Sequence, residues 1–320
     1  MKRRRLLLLA GLGGITFAGI VFSFNIRKLR FFRKQLGELK EFLFHKKELN
    51  NLLSTQTVKS DISYPKTAPI FRFVSVADTG TGKMPQYSVA RAMKHYHSKF
   101  PFGFVVLAGD NIYPNGEIEK INDVFEKPYE YLLENKVKFY ACLGNHDVRT
   151  DNGEPQVKYP NFNMAGRYYT FEYQPIQFFA LDTNAKKEDW EVQLNWLEKE
   201  LSNSKAPWKI VFAHHPIYSS GKYGSSQKLI STLTPLFKKH KVQLYINGHE
   251  HNYERTRPIN GTTYLISGAG AKQRPVGRSE WTEYSTENFS FAAFDVYEDR
   301  LIVRGINIWN RVFDAGVIQI

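Results

Sequence analysis

Five short polar blocks of this 320-residue chain hold the side chains with the greatest capacity for chemistry. Each block follows directly on a hydrophobic run, and together they contain five of the nine histidines. Asp, Asn, Tyr and His offer oxygen and nitrogen atoms that ligate metal ions or transfer protons. The blocks are Asp78-Thr79-Gly80, Gly109-Asp110-Asn111-Ile112-Tyr113, Gly144-Asn145-His146-Asp147, His214-His215-Pro216 and Gly248-His249-Glu250-His251.

This mixture of hard oxygen ligands and imidazoles suits Fe, Mn and Zn. Two such ions about 3.5–4 Å apart can clamp both oxygens of a phosphoryl displacement, and a bridging carboxylate would hold the ions together. A single block is weak support, because Asp78 alone is compatible with a strand-end cap. Five blocks in one chain, all after apolar runs, predict a dinuclear metal site.

The elements that must position these blocks alternate along the chain. Short apolar runs predict strands over 70–77, 103–108, 137–143, 209–213 and 242–246, and a hairpin over 168–181. Helical periodicity predicts helices over 86–100, 118–134, 190–201 and 227–239, whereas 144–166 and 268–287 are typical of loops. The fold class is therefore α/β (α+β): a layered β-sandwich flanked by helices, with the blocks at strand carboxyl ends.

The net charge of +13 is unevenly distributed. Residues 1–60 contain 13 Lys and Arg against three Glu, whereas residues 61–320 contain 31 Lys and Arg against 28 Asp and Glu. The basic excess lies at the N-terminus, so it does not indicate nucleic-acid binding by the remainder. Cys142 is the only cysteine, which excludes an intramolecular disulfide, and its apolar neighbours favour a small buried side chain over a thiolate ligand.

The N-terminus has the pattern of a targeting or membrane segment. Lys2-Arg3-Arg4-Arg5 precedes the uncharged run 6–24, and a second basic cluster follows at 27–34. That second cluster favours an uncleaved membrane anchor over a cleaved signal peptide. The paired arginines before the leucine run would also suit a twin-arginine export signal. We therefore expect a signal or anchor over 1–26, a basic helical stalk over 27–67 and a catalytic domain over 68–320, outside the cytoplasm.

The order of the five blocks resembles that of the metallophosphoesterase superfamily. The general superfamily has Asp-x-His in the first block, with both residues as ligands, whereas this chain has Gly80 at the third position. A tyrosine stands three residues after Asp110, and Tyr113 can fill the vacancy. This linked pair of changes is similar to the purple acid phosphatases of the small, tartrate-resistant type, and the resemblance covers about residues 70–320.

The resemblance implies two ligand sets and a bridging role for Asp110. The set for a ferric ion is Asp78, Asp110, Tyr113 and His251. The set for a second, divalent ion (Fe, Zn or Mn) is Asp110, Asn145, His214 and His249. The resemblance also implies that His146 contacts phosphate or protonates the leaving group, and Asp147 is a candidate to orient it. His215 falls at a position that varies in the family, which favours a packing role.

One departure from the family lies after His214. Family members often carry a further histidine aimed at the substrate, but the segment 219–224 has none, and Tyr223 or Lys222 is the candidate replacement. A phenol donates one hydrogen bond to phosphate but cannot act as an imidazolium, so leaving-group protonation would rest on His146. Arg274 and Arg278, in the late loop, are candidates to meet phosphate or to face solvent.

The resemblance implies hydrolysis of small phosphoric monoesters by attack of a metal-bound hydroxide. A phosphodiesterase or nucleotide pyrophosphatase on the same metal core is the alternative, because the ligands do not separate these substrates. A membrane-tethered, inactive phosphate-binding protein is a third hypothesis. The complete ligand set argues against it, since a degenerate site would lose ligands.

Overall fold

The computed structural model describes residues 67–320. The predicted anchor or signal over 1–26, and all of the predicted stalk except Thr67, lie outside the described residues. No helix within 67–320 combines the length and apolar character needed to cross a bilayer.

Thirteen strands within the described residues form two sheets. In chain order, the strands are β1 (Phe71–Val76), β2 (Phe104–Leu107), β3 (Lys138–Ala141), β4 (Tyr169–Tyr173), β5 (Ile176–Ala180), β6 (Trp208–Phe212), β7 (Leu244–Asn247), β8 (Tyr253–Thr256), β9 (Thr263–Ser267), β10 (Thr282–Thr286), β11 (Ser290–Val296), β12 (Arg300–Asn307) and β13 (Val312–Gln319).

Helices connect the strands on the outer faces of the sheets. The α-helices of the described residues are α1 (Met84–Lys99), α2 (Lys127–Glu134), the single turn α3 (Glu154–Val157), α4 (Lys187–Asn203) and α5 (Gln227–His240). Shorter helical turns span Ile118–Lys120, Asn122–Glu126, Asp147–Arg149, Asp151–Gly153 and Pro160–Phe162.

Both sheets are mixed, and each contains a parallel segment. The six-stranded sheet has the order β13-β12-β11-β1-β2-β3, with β1, β2 and β3 parallel. The seven-stranded sheet has the order β10-β8-β9-β7-β6-β5-β4, with β5, β6, β7 and β9 parallel. Parallel strands end at the same edge of a sheet, so each sheet brings several loops together there.

The two sheets pack face to face through aromatic side chains. Phe73 of β1 stacks on Phe104 of β2 and Phe294 of β11, with ring centroids 5.1 and 4.3 Å apart. Phe178 of β5, in the other sheet, meets Phe73 edge-on at 5.3 Å. Because side chains alternate along a strand, the intervening residues face outward. Val74 thus packs in one cluster with Val89 of α1, and Val211 packs in another with Leu197 of α4.

The predicted fold class is confirmed, as are the helix and strand types of most segments. The predicted helix over 118–134 is helical along its length but irregular in its first half. A 3-10 turn at Ile118–Lys120 and a π-helical turn at Asn122–Glu126 precede the regular helix α2, which begins at Lys127 with Pro128 in its first turn. The predicted loop over 268–287 contains β10, which pairs with β8 at the edge of its sheet. Its polar sequence has no hydrophobic alternation to mark a strand.

Candidate metal centre

The five polar blocks meet at the carboxyl ends of parallel strands from both sheets. The first three follow β1, β2 and β3, and the last two follow β6 and β7. Four of the predicted ligands adopt the left-handed backbone conformation, with φ of 57° at Asp78, 54° at Asp110, 72° at His249 and 53° at His251. Such conformations are strained for residues other than glycine and concentrate at functional sites.

Glycines in the blocks allow the loops to approach one another closely. A Cβ added at Gly144 would lie 2.1 Å from the backbone nitrogen of Asp110. One added at Gly248 would lie 2.5 Å from the Asp78 carboxylate. A side chain at Gly144 would therefore push apart two loops of one sheet, and a side chain at Gly248 would push apart loops of the two sheets.

Asp78, Tyr113 and His251 form one tight group. The Tyr113 hydroxyl lies 3.0 Å from Asp78 Oδ1 and 3.2 Å from His251 Nε2, and the latter two atoms are 3.2 Å apart. All three side chains are nearly or fully buried. Burial and the nearby Asp78 and Asp110 carboxylates raise the pKa of the Tyr113 phenol. The phenol would therefore ionise only beside a strong cation.

Asn145, His214 and His249 form a second group of similar size. Asn145 Oδ1 lies 3.1 Å from His214 Nε2 and 3.0 Å from His249 Nδ1, and these two nitrogens are 3.3 Å apart. His214 Nδ1 donates to the Ala108 carbonyl at 3.0 Å, which leaves a lone pair on Nε2. Burial, followed by His214 and His215, lowers the pKa of His249 to about 2, so its ring is neutral.

Asp110 lies between the two groups. Its Oδ1 is 3.5 Å from His214 Nε2, on the side of the second group, and accepts the His146 backbone N–H at 2.9 Å. On the side of the first group, its carboxylate lies within 4.8 Å of a ligand atom of Asp78. Although burial opposes ionisation, His214 and the His146 N–H hold the pKa of Asp110 below its usual range. A charged carboxylate therefore lies where a bridging ligand would be needed.

The residues of both groups fit bound metal ions. The lone pair on His214 Nε2 faces an amide oxygen and a carboxylate oxygen, all three of which are acceptors. Ligand atoms of Asp78, Asp110 and His214 lie within 4.8 Å of one another. Acceptors crowded in this way repel unless a proton or a metal ion lies among them. Although burial opposes protonation, the Asp110 and Asp78 carboxylates raise the pKa of His214, so the cluster attracts positive charge. The mixed N/O set suits first-row transition metals.

His146 lies beside this centre with one ring nitrogen committed. Its Nδ1 lies 2.6 Å from the Pro114 carbonyl and donates to it. Its Nε2 faces the site, 3.9 Å from Asp110 Oδ2, and accepts a long hydrogen bond of 3.5 Å from the Arg149 guanidinium. The ring also packs on Tyr113, with centroids 4.5 Å apart. The proton carried on Nε2 by the imidazolium form would point into the site.

Asp147 is fully buried and joins three loops. Its carboxylate accepts five hydrogen bonds of 2.7–3.1 Å, from the N–H groups of Asn111, Ile112 and Gly144 and the side chains of Asn111 and Gln156. Burial and the nearby Asp110 raise its pKa to about 7, against the effect of these donors. None of the five donors is the His146 ring, so these contacts give Asp147 a role in loop placement rather than the predicted orientation of His146.

We expect Asp147→Ala to destabilise the protein by roughly 3 kcal/mol or more, because each buried donor left unpaired costs about 1–3 kcal/mol. The melting temperature should fall by roughly 6–12 °C. Asp123→Ala is the matched control. Its partner Lys127 lies 2.6 Å away and both side chains are exposed, so its loss should cost within about 1 kcal/mol. Equal melting temperatures for the two variants would contradict the loop-placement role.

His215 and Cys142 are placed as the sequence favoured. The His215 ring lies near the rings of His214 and His249, and its Nδ1 meets the Thr183 hydroxyl at 2.7 Å. Burial and His214 lower the pKa of His215 to about 3, so the ring is neutral. Cys142 is a free, fully buried residue of the core between the sheets.

The rim of the site carries aromatic and basic side chains. Tyr223 is exposed and packs on the His249 ring at 4.6 Å. The Arg274 guanidinium lies 4.9 Å from the Tyr223 ring centroid and donates to the His249 carbonyl at 2.7 Å. The Arg278 guanidinium instead donates to the Glu283 carbonyl, in an exposed hydrogen bond. The structure therefore brings Tyr223 and Arg274 to the site, whereas Arg278 has an exposed contact with the backbone of β10.

Lys272 was not singled out from the sequence, yet its Nζ lies 3.2 Å from the centroid of the Tyr113 ring. It stands two residues from Arg274 in a loop with no motif, so only its basic character could have drawn notice. Arg149, which contacts His146, was also missed, because it belongs to none of the five polar blocks.

Comparisons with known proteins agree with this geometry. A family model described as calcineurin-like phosphoesterase matches residues 71–253. Purple acid phosphatase 7 of Arabidopsis thaliana is 31% identical over 231 residues, covering 62% of this chain and 70% of that protein. Tartrate-resistant acid phosphatase type 5 of Mus musculus is 26% identical over 249 residues, covering 66% of this chain and 76% of that protein.

A solved structure shares the fold. GAP50, described as the anchor in the inner membrane complex of Plasmodium, has a TM-score of 0.69 at 22% identity, covering 78% of this chain and 89% of that chain. At that identity the similarity shows the fold alone. The family match and the Arabidopsis relative go further: this chain belongs to the calcineurin-like phosphoesterases and, within them, to the purple acid phosphatases.

Proposed function

We propose that this protein is an acid phosphatase that hydrolyses small phosphoric monoesters at a dinuclear metal centre. The observation that carries the proposal is the pair of ligand groups, Asp78/Tyr113/His251 and Asn145/His214/His249, with the Asp110 carboxylate between them. Membership of the purple acid phosphatases supports the same reaction.

We assign the first group, with Asp110, to a ferric ion. A phenolate is a hard anionic ligand that favours a trivalent ion, and the buried phenol of Tyr113 ionises only beside a strong cation. We assign the second group, again with Asp110, to a divalent Fe, Zn or Mn. When bound, the two ions would neutralise phosphate charge and lower the pKa of a water nucleophile.

The residues around the centre supply the remaining functions. His146 is the proposed proton donor to the leaving group, because Nδ1 is committed to Pro114 and Nε2 is directed into the site. Arg274 and Lys222 lie over the Tyr223 ring, at 4.9 and 5.5 Å from its centroid, and contribute positive charge at the rim. We assign to the exposed Tyr223 phenol, which packs on the His249 ring, a hydrogen bond donated to phosphate.

The absence of a histidine from the segment 219–224 bears on the pH profile. The proposed proton donor is then His146 alone. Burial lowers the pKa of His146 below its usual range. Esters with poor leaving groups, which need protonation most, depend on this single imidazole.

For the N-terminus, we propose that residues 1–26, a basic cluster followed by an uncharged run, direct the catalytic part out of the cytoplasm as a membrane anchor or a signal. The support is the sequence pattern alone: Lys2-Arg3-Arg4-Arg5 before the uncharged run 6–24.

The function is tested by metal content and substrate profile on the purified protein. We expect two metal ions per chain, and activity on alkyl and aryl monoesters that exceeds activity on matched diesters by at least about tenfold, since a monoester places more charge on the two ions. Chelation should abolish both activities. Higher turnover of diesters or nucleotide pyrophosphates would favour the alternative enzyme. Metal binding without turnover of any phosphoester would favour a binding protein.

A further inference from the structure

A lysine ammonium lies directly on the face of the tyrosine that we assign to the ferric ion. Lys272 Nζ is 3.2 Å from the centroid of the Tyr113 ring, well within the distance of a cation–π contact. The lysine is half-buried, and the Asp110 and Asp78 carboxylates attract its charge. No metal-ligating role is available to an ammonium, because it has no lone pair.

The backbone holds Lys272 at this place from both sides. Before it, the Gly270 N–H donates to the Ala77 carbonyl at 3.2 Å, next to the ligand Asp78. After it, the Arg274 N–H donates to the carbonyl of the ligand His251 at 3.0 Å. The first contact depends on glycine, because a Cβ at Gly270 would lie 2.4 Å from the Ala77 carbonyl oxygen. The loop of Lys272 is therefore attached to two ligand-bearing loops.

We propose that Lys272 is a positioning residue that tunes the Tyr113 phenolate through its ring face. A positive charge against the ring stabilises the filled orbitals of the phenolate more than it stabilises the more distant metal orbitals. The energy needed to move an electron from phenolate to ferric ion therefore rises. The inference rests on the proposed function, since it requires Tyr113 to be a ferric ligand.

The experiment compares visible spectra of the iron-loaded full chain. We expect Lys272→Gln to move the phenolate-to-iron absorption band to longer wavelength, on the order of 10 nm for the loss of a cation–π contact. Lys272→Met, which keeps the length of the side chain without its charge, should move the band in the same direction and serves if Lys272→Gln fails to fold. Lys272→Arg keeps the cation, so its band should stay near that of the wild type.

The matched control is Lys222→Gln. Lys222 is a rim lysine over the ring of Tyr223, which is not a proposed ligand, so its loss should leave the band in place. An unmoved band in both charge-removing variants, with iron content equal to that of the wild type, would overturn the inference. An equal shift in Lys272→Arg would also overturn it, because the effect would then be steric. A wild-type protein that binds iron yet shows no band would instead contradict the ferric assignment of Tyr113, and this inference with it.

Discussion

Replacing Asp110 by alanine is expected to reduce phosphatase activity by on the order of 10³-fold or more, which is the largest effect we predict. Asp110 lies between the two ligand groups, 3.5 Å from His214 and within 4.8 Å of a ligand atom of Asp78. Its loss removes a ligand and a negative charge from both proposed ions at once. Metal analysis should accordingly show fewer than two ions per chain. The loss of activity should include a fall in kcat and not only a rise in KM.

Asp110→Asn provides a graded comparison. The amide keeps one oxygen and the shape of the side chain but removes the charge, so we expect an activity between those of the alanine variant and the wild type. Because the Asp110 side chain also accepts the His146 N–H, melting curves should accompany the assays to separate lost metal from lost fold. Asp110→Ala with two bound ions and near-normal turnover would refute the bridging role.

Replacing Tyr113 by phenylalanine is expected to abolish the visible absorption band of the iron-loaded protein. The band requires a phenolate on the ferric ion, and Tyr113 is the tyrosine whose hydroxyl lies within hydrogen-bond distance of both Asp78 and His251. Phenylalanine keeps the ring, and hence its packing on His146, but has no oxygen. The second group of ligands does not include Tyr113, so the variant should retain binding of a divalent ion.

Tyr129→Phe is the control for this spectrum. Tyr129 belongs to α2 and is buried, like Tyr113, but it packs with Phe125 and Phe139 on the outer face of the six-stranded sheet. The absorption band of Tyr129→Phe should equal that of the wild type. If Tyr113→Phe keeps its colour, another residue ligates the ferric ion, and the subfamily argument from Gly80 and Tyr113 fails.

The positions of the five polar blocks were predictable because a short polar motif at a strand end leaves a local signature. Asp78, Asp110 and Asn145 each follow an apolar run, and parallel strands must bring such positions to one edge. Strands without that signature were missed. β10 is polar and lies at a sheet edge, where pairing with β8 rather than hydrophobic alternation makes it a strand.

The roles of Asp147 and Lys272 show where sequence reasoning ends. Adjacency in the chain linked Asp147 to His146, but the Asp147 carboxylate turns inward to five donors, four of which come from other segments of the chain. Lys272 lies 159 positions after Tyr113 in a loop without a motif, yet the fold sets it on the Tyr113 ring. Neither contact follows from local propensity, because both depend on how separate loops pack.

By itself, the sequence determined the family, the α/β class and the types of the proposed metal ligands, since residue type and spacing within a block are fixed by the chain. Only the tertiary structure decided which proposed ligands share a group, that Asp110 lies between the groups, and which side chains of the rim reach the site. These relations join residues as far apart as Asp78 and His251, and their distances exist only after two sheets have packed face to face.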